Sequence, residues 1–491
     1  MSAISTNTMP ESGAAREAGT AQEGNDRAQT ANGRAQLMGG TPIPRLILKF
    51  SLPTIVGMLV NALYNIVDVI YIGNIEGIGE ICIAALSINA PIMLAFFSFM
   101  MMAGVGGAAR ISIYLGEEKK DLAERTIGNG IVLITIITAT LATAAACFME
   151  PLLTLFGASP NTMQYAKDYL SIILIGVPVN GFGYCLNRYI MAQGLPKISM
   201  TTMLIGAITN IILDPIFIFV LGMGVRGAAI ATIIAQTFSC AWCAYYFFSG
   251  RTPLKIRAGY LRLQISVVFG IVSIGVASFF MQISASLVRM VLNKSLLHYG
   301  GDAAVSILGL IFNVSSIFLM PMIGINQGIQ PIVGFNYGAL KYNRVKEAIK
   351  AGVLASTSFA IIGYLVIMLF PTEIAMVFGR ENHNILHLAP KAFRTYLFFT
   401  PMIGIAFVST IVFQAIDKPR LSLFMSLLRQ VIVLIPATLV LPIFFGLEGI
   451  FLSGAVADFI SSVTAAALLT REVRKLNHLI AGQGKLQKST E

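Results

Sequence analysis

Charged residues are scarce in this 491-residue chain. Only 12% of the residues are Asp, Glu, Lys or Arg, and 56% are hydrophobic, whereas a soluble protein carries about twice that charged fraction. The composition excludes a soluble globular protein and predicts a polytopic helical membrane protein whose main partner is the lipid bilayer. The net charge of +11 does not indicate a nucleic-acid partner, because no basic groove with interleaved aromatic side chains accompanies it.

Histidine and cysteine are also rare, with four and five residues respectively. No histidine precedes His298, no histidine pair has the spacing of a metal site on a helix, and the Gly-x-Ser-x-Gly motif is absent. We therefore expect no enzymatic activity and no resident cofactor. The cysteines all lie in apolar segments, where they act as small hydrophobic side chains rather than as a disulfide framework. They are Cys82, Cys147, Cys185, Cys240 and Cys243.

Twelve apolar segments are long enough to cross a bilayer, which requires about 20 residues. We expect an all-α fold with 12 transmembrane helices in two pseudo-symmetric six-helix lobes. The predicted division is a disordered cytoplasmic tail at 1–44, a first lobe at 45–250, a cytoplasmic linker at 251–265, a second lobe at 266–470 and a cytoplasmic tail at 471–491. The predicted spans are 46–72, 81–109, 127–149, 164–190, 197–221, 227–249, 266–293, 303–328, 346–370, 391–414, 421–443 and 449–470.

The distribution of Lys and Arg predicts the orientation. With the N-terminus inside, all but seven of the 34 basic residues fall on the cytoplasmic side, as the positive-inside rule requires. Both termini are then cytoplasmic in a cell membrane. Arg289, near a span end, is expected to reach the outer interface. The other external basic residues are Lys167, Arg226, Lys294, Arg380, Lys391 and Arg394.

The two halves of the chain resemble each other at a nearly constant offset. Duplicated bundles commonly place a substrate cavity between the halves and work by rocking one half against the other. The matched pairs are Gly116 and Gly338, Lys119 and Lys341, and Gly227 and Gly449, each 222 residues apart, with Pro196 and Pro419 at 223.

Two aspartates lie inside apolar spans of the first half. Asp68 is in the first span, and Asp214 is in the fifth, one helical turn after Asn210. A carboxylate at membrane depth costs roughly 3 kcal/mol on insertion scales and is usually functional. Pro215, directly after Asp214, is expected to kink the helix and expose a backbone acceptor. Two carboxylates in one low-dielectric pocket cannot both ionise cheaply, so they predict a site that takes up and releases cations.

Thr232 is predicted to lie at the same depth as Asp214, because both are nine residues from the turn near Met223. Asp68, Asn210, Asp214 and Thr232 together offer oxygen ligands for H⁺ or Na⁺. Hydrogen bonding between helices is the simpler explanation for Asn210 and Thr232 alone. It explains the aspartates less well, because a neutral residue would join helices at lower cost.

At these residues the chain resembles the multidrug and toxin extrusion transporters. Pro53 followed by Asp68, the run Asn210-Ile-Ile-Leu-Asp214-Pro215, the run Gly227-Ala-Ala-Ile-Ala-Thr232 and the run Met191-Ala-Gln-Gly-Leu-Pro196 carry the resemblance, which covers about 45–470. It implies a two-lobed antiporter that exports small amphipathic or cationic organic molecules in exchange for H⁺ or Na⁺. It also implies that Asp68, Asn210, Asp214 and Thr232 bind the cation and that Pro53 permits bending. Pro215, from its missing N–H, is expected to be a second hinge. We expect a monomer.

The second half lacks the corresponding acids. At the repeat offset Asp68 falls on Met290 and Asp214 on Ala437, and only Asp458 remains, as either a packing or a functional residue. A lipid-linked saccharide flippase of the same superfamily is the first alternative, although the spans hold few basic residues to bind a diphosphate. A membrane-embedded enzyme and a channel are weaker alternatives, since no catalytic motif is present and a duplicated bundle favours alternating access.

Overall fold

The computed structural model describes residues 37–249, 252–379 and 383–488, and helices with short turns account for them without any strand. The first lobe comprises α1 to α7, and the second comprises α8 to α14. π-Helical turns follow α6 (Ile216–Val220) and α13 (Leu428–Leu434). The helices are α1 Ile43–Gly73, α2 Gly79–Gly116, α3 Lys120–Cys147, α4 Met149–Leu155, α5 Pro160–Ala192, α6 Pro196–Pro215, α7 Gly224–Phe248, α8 Ile265–Gly338, α9 Tyr342–Leu369, α10 Pro371–Gly379, α11 His383–Tyr396, α12 Ile403–Ala415, α13 Pro419–Leu427 and α14 Ile435–Lys488.

Helices α8 and α14 each contain two membrane crossings. Gly301 in α8 and Gly446 in α14 have φ values of +64° and +56°, which reverse the chain without ending its hydrogen bonding. The described residues contain ten apolar helical segments long enough to cross a membrane. Division of two of them at these glycines gives the twelve spans that the sequence predicts, and the all-α two-lobed fold is confirmed.

The predicted N-terminal tail ends earlier than expected. Residues 1–36 lie outside the described residues, but Met38 is only 2% exposed and is not part of a disordered tail. Arg344 of the second lobe donates hydrogen bonds to the carbonyl oxygens of Met38 (3.0 Å) and Thr41 (2.6 Å). The prediction of disorder up to residue 44 is wrong for residues 37–44, because these backbone acceptors bind the second lobe and the Met38 side chain is buried.

The predicted linker packs on the first lobe, just as the N-terminal segment packs on the second. Glu124 of α3 forms an ion pair with Arg257 at 2.6 Å and accepts a hydrogen bond from the Lys255 amide. Asn129 of the same helix donates to the carbonyl of Tyr260 and accepts from the amide of Gln264. The segment that leads into each lobe is therefore held by the third membrane span of the other lobe, which is α3 in the first lobe and α9 in the second.

The C-terminal segment after residue 470 continues α14 as a helix up to Lys488. Glu472 is buried there and pairs with Lys418. This part of the predicted tail is therefore an extension of the last span that packs on the turn before α13.

The backbone itself repeats at the offset found in the sequence. Left-handed φ angles recur in three matched pairs, one of which consists of two non-glycine residues, a residue class that rarely adopts this conformation. The conformations of the turns were therefore duplicated together with the helices. The pairs are Glu118 and Leu340, Gly194 and Asp417, and Gly224 and Gly446.

Two matched glycines allow the lobes to touch. A Cβ atom on Gly116 of α2 would lie 2.1 Å from the Phe335 carbonyl oxygen, and one on Gly338 of α8 would lie 2.2 Å from that of Ile113. Each glycine therefore receives the backbone of the other lobe. We call this contact the glycine crossing. It lies beside the turns that carry Lys119 and Lys341, and we call that side of the bundle the basic side.

Substitution of Gly338 by Ala should destabilise the protein. The added methyl group would meet a backbone oxygen that cannot move aside, and overpacking of this kind costs about 1–3 kcal/mol. Gly309→Ala in the same helix is the matched control, because no atom lies within 4 Å of its Cβ position. Thermal melting of the purified proteins should give a lower Tm for Gly338→Ala alone. Equal Tm values for the two variants would contradict the close contact.

Candidate functional site

The fold brings the two predicted aspartates together. Asp68 lies near the end of α1 and Asp214 near the end of α6, and these helices pack along each other. Their carboxyl groups are close enough to interact directly. Both lie far from the basic side, since Asp68 is 25 residues into α1 and Asp214 is 18 residues after Pro196.

Asn210 completes this pair as the sequence predicts. Its amide Nδ2 donates a hydrogen bond to Asp214 Oδ1 at 3.0 Å, and both residues are almost fully buried. The other carboxylate oxygen, Asp214 Oδ2, has no hydrogen-bond partner in the described part of the chain, and neither do Asp68 Oδ1 and Asn210 Oδ1. Three buried oxygen acceptors therefore meet without a donor, which is an arrangement that suits a proton or a hard cation.

No basic side chain compensates these carboxylates. Among the described residues, none of the ion pairs within 4 Å includes Asp68 or Asp214. Two like charges ~4 Å apart repel by about 4 kcal/mol at an effective dielectric constant of 20. The pair therefore favours a state in which it holds a proton or another cation.

Sequence reasoning did not identify two tyrosines near the acids. Tyr64 and Tyr169 lie close enough to both carboxylates for electrostatic interaction. Tyr64 precedes Asp68 by four residues, so helical spacing would have placed it on the same face. Tyr169 comes from α5, and no sequence signal connects it with α1.

Thr232 is half-buried on α7, but its hydroxyl donates to the Ala228 carbonyl of its own helix at 2.9 Å. The structure records no hydrogen bond from Thr232 to Asp68, Asn210 or Asp214. As a Na⁺ ligand it would contribute its free lone pair.

The two predicted hinge prolines differ in their surroundings. Helix α1 continues through Pro53, where the hydroxyl of Thr54 adds a hydrogen bond to the Phe50 carbonyl. Pro215 ends α6, and the chain then continues as a π-helical turn in which the Leu221 amide donates to the Ile216 carbonyl. The missing N–H of Pro215 thus coincides with a change of helical register beside Asp214.

The second lobe contains a different polar cluster. Asp458 of α14 is 1% exposed and accepts a 2.7 Å hydrogen bond from Nε of Arg429 in the second π-helical turn. Arg429 and Arg289 line a cavity of the second lobe together with Asp458. Arg289 is also exposed, so its position at the outer interface stays a prediction. Linear sequence could not pair Arg429 with a carboxylate 29 residues away.

Carbodiimide labelling should distinguish the two clusters. Dicyclohexylcarbodiimide reacts with protonated carboxyl groups in apolar surroundings, so we expect mass-spectrometric labelling of the Asp68–Asp214 pair. Asp458 is the internal control, because Arg429 compensates its charge and hydrogen-bonds one of its carboxylate oxygens. Asp68→Asn should remove the label from its peptide. Equal labelling of Asp458, or none at the pair, would contradict an uncompensated site.

Comparison with known proteins places the chain in a family. The sequence model of the MatE family matches residues 53–216 and 277–439, which is one match in each lobe. "Multidrug export protein MepA" of Staphylococcus aureus (strain MSSA476) is 26% identical over 434 residues, which cover 87% of this chain and 94% of that protein.

Two solved structures share the fold at 23% identity. One, described as the outward-facing conformation of a multidrug resistance MATE family transporter of the MOP superfamily, has a TM-score of 0.84 and covers 90% of this chain and 98% of its own. The other, a MATE in the bent conformation, has a TM-score of 0.85 and covers 91% and 99%. From the family match over both lobes, supported by these similarities, the chain belongs to the MatE family of membrane transporters.

Proposed function

We propose that the chain is a secondary active antiporter that exports organic cations or drugs in exchange for H⁺ or Na⁺ by alternating access. The observation that carries this proposal is the pair of contacting carboxylates without a basic partner. Burial of the Asp68 and Asp214 carboxylates without a counter-charge costs free energy, so a soluble cation is needed to neutralise them. The relative from Staphylococcus aureus, named as a multidrug export protein, supports small amphipathic or cationic organic molecules as substrates.

Exchange follows from competition for the same negative charge. A proton or Na⁺ that neutralises Asp68 and Asp214 removes the attraction for an organic cation, and loss of that ion restores it. Coupling of this kind requires only that binding of the coupling ion lowers the affinity for the organic cation, and the reverse. The membrane potential adds about 2.3 kcal/mol per charge per 100 mV to inward movement of the coupling ion.

The ligand atoms suit either coupling ion. Na⁺ would take oxygen atoms from Asp68, Asn210, Asp214 and Thr232, whereas a proton would be shared by the two carboxylates with support from Asn210 Nδ2. We propose that the protein works as a monomer in the cell membrane. The basic side is assigned to the cytoplasm, with both termini there, by the distribution of Lys and Arg.

Asp68→Asn should abolish gradient-driven efflux, because the amide keeps the shape of the side chain but cannot exchange a proton for another cation. Ethidium efflux would be measured in energised whole cells or inverted vesicles, with pH and sodium gradients imposed separately. The gradient that drives efflux in the wild type identifies the coupling ion. Asp302→Asn is the matched control, since this aspartate is exposed at the turn beside Gly301.

Efflux that persists in the Asp68→Asn variant would contradict the assignment of Asp68 as a cation-binding residue. If wild-type protein gave no efflux with either gradient, antiport of cationic drugs would be wrong. Transport of a fluorescent lipid-linked saccharide in the same vesicles would then favour the flippase alternative.

Pro53→Ala should impair transport more than binding. The substitution restores an N–H that can bond to the Lys49 carbonyl, which stiffens α1 where it must bend. We expect ethidium to bind purified Pro53→Ala with unchanged affinity while efflux falls by at least tenfold. Pro91→Ala, which alters a proline inside α2, is the control. Equal loss of binding and efflux would indicate a structural rather than a conformational role.

A further inference from the structure

The two lobes meet along the basic halves of α2 and α8. Besides the glycine crossing, a Cβ atom on Gly106 of α2 would lie 2.1 Å from the Ile271 carbonyl oxygen, and one on Gly275 of α8 would lie 1.9 Å from that of Met102. Gly106 is ten residues before the end of α2, and Gly275 is ten residues after the start of α8. The basic side is therefore closed in this structure, and alternating access requires these surfaces to separate.

An ion pair joins the lobes on this side. Nη1 of Arg110 in α2 lies 2.8 Å from Oδ2 of Asp417, which is in the turn between α12 and α13. Nε of the same arginine donates a 3.4 Å hydrogen bond to the carbonyl of Gly270 in α8. Among the described residues, no other ion pair joins α1–α7 to the second lobe. One guanidinium of the first lobe thus holds two separate segments of the second, and both contacts are lost if the lobes part here.

The backbone at Asp417 indicates that its side chain has a role of its own. Its φ of +57° lies in the left-handed region, and the residue that adopts this conformation after a helix is usually glycine. The matched residue of the first lobe, Gly194, has a φ of +82° and is a glycine. An aspartate reaches this conformation at a free-energy cost that glycine avoids. The ion pair with Arg110 offsets that cost.

The matched turn of the first lobe also takes part in the contact between the lobes. A Cβ atom on Gly194 would lie 3.4 Å from the sulfur atom of Met38. The Met38 carbonyl in turn accepts hydrogen bonds from Arg344 and Asn336 of the second lobe, at 3.0 and 3.2 Å. Both turns of the repeat therefore lie where the lobes meet. The turn at Asp417 makes its contact through opposite charges, and the turn at Gly194 makes it through a neutral side chain.

We infer that the Arg110–Asp417 pair is a latch that stabilises the state closed on the basic side and so sets the equilibrium with the state open to that side. The two side chains are 21% and 37% exposed. A partly hydrated pair can exchange its protein partner for water at small cost, so the latch can also release. This inference rests on the alternating access of the proposed function and adds two positioning residues outside the cation site.

Distances between spin labels on the purified full chain, measured by double electron–electron resonance, would test the latch. Labels attached at Lys120→Cys and Asn343→Cys report the separation of the lobes, since these residues are exposed on the basic side, one in each lobe. Cys147, the exposed native cysteine, is replaced by Ser. Arg110→Gln and Asp417→Asn should each raise the ratio of open to closed populations about threefold, because each removes the ion pair. Asparagine retains the shape of the side chain and tolerates the left-handed turn.

Glu118→Gln is the matched control. Glu118 also has a left-handed φ and is exposed on the basic side, but it takes part in none of the ion pairs among the described residues. The double variant Arg110→Gln/Asp417→Asn should open no further than Arg110→Gln alone, because both changes remove the same pair. Unchanged distances in the two single variants, or an equal shift in Glu118→Gln, would overturn the inference. Failure of ethidium efflux in the wild type would overturn the antiport proposal and leave these distances unchanged.

Discussion

A carboxylate inside an apolar helix bundle needs a positive partner, and the described part of the first lobe offers none to Asp68 and Asp214. Asn210 supplies one hydrogen bond but no charge. We propose that the compensating charge comes from outside the protein and can leave again, which would make occupancy of the site variable. Asp458, held permanently by Arg429, shows the opposite arrangement, because a pair that is complete within the protein has no need of a soluble ion.

The geometry of α1 connects this site with the contact between the lobes. The helix carries Asp68 at one end and Ser51 about 26 Å away, at a rise of 1.5 Å per residue. Ser51 packs against Gly328 of the second lobe, where a Cβ atom would be only 2.6 Å from its hydroxyl oxygen. Pro53 lies between these two points, next to Ser51. A change of charge at Asp68 thus acts on a helix whose other end takes part in the interface about which the lobes would move.

Sequence reasoning was sufficient for features that depend on local chemistry or on strict steric limits. Helical spacing placed Asn210 beside Asp214, and the offset of 222 identified Gly116 and Gly338, which the structure shows to be packed against each other's helices. It was not sufficient where a contact joins distant segments. Tyr169 reaches the acids only through the packing of α5, and Arg429 meets Asp458 only because the second π-helical turn packs on α14.

The repeat is preserved to different degrees at the interface and in the cavities, and this difference has a physical cause. At the glycine crossing any side chain would collide with the backbone of the other lobe, so only glycine fits at both matched positions. A cavity imposes no such limit, because its lining must exclude clashes but can present many kinds of chemistry. Asp68 and Met290, its counterpart at the offset of 222, could therefore diverge in chemistry while the helices that carry them kept their relation. The duplicated framework thus fixes how the lobes meet, and the side chains in each lobe are free to differ.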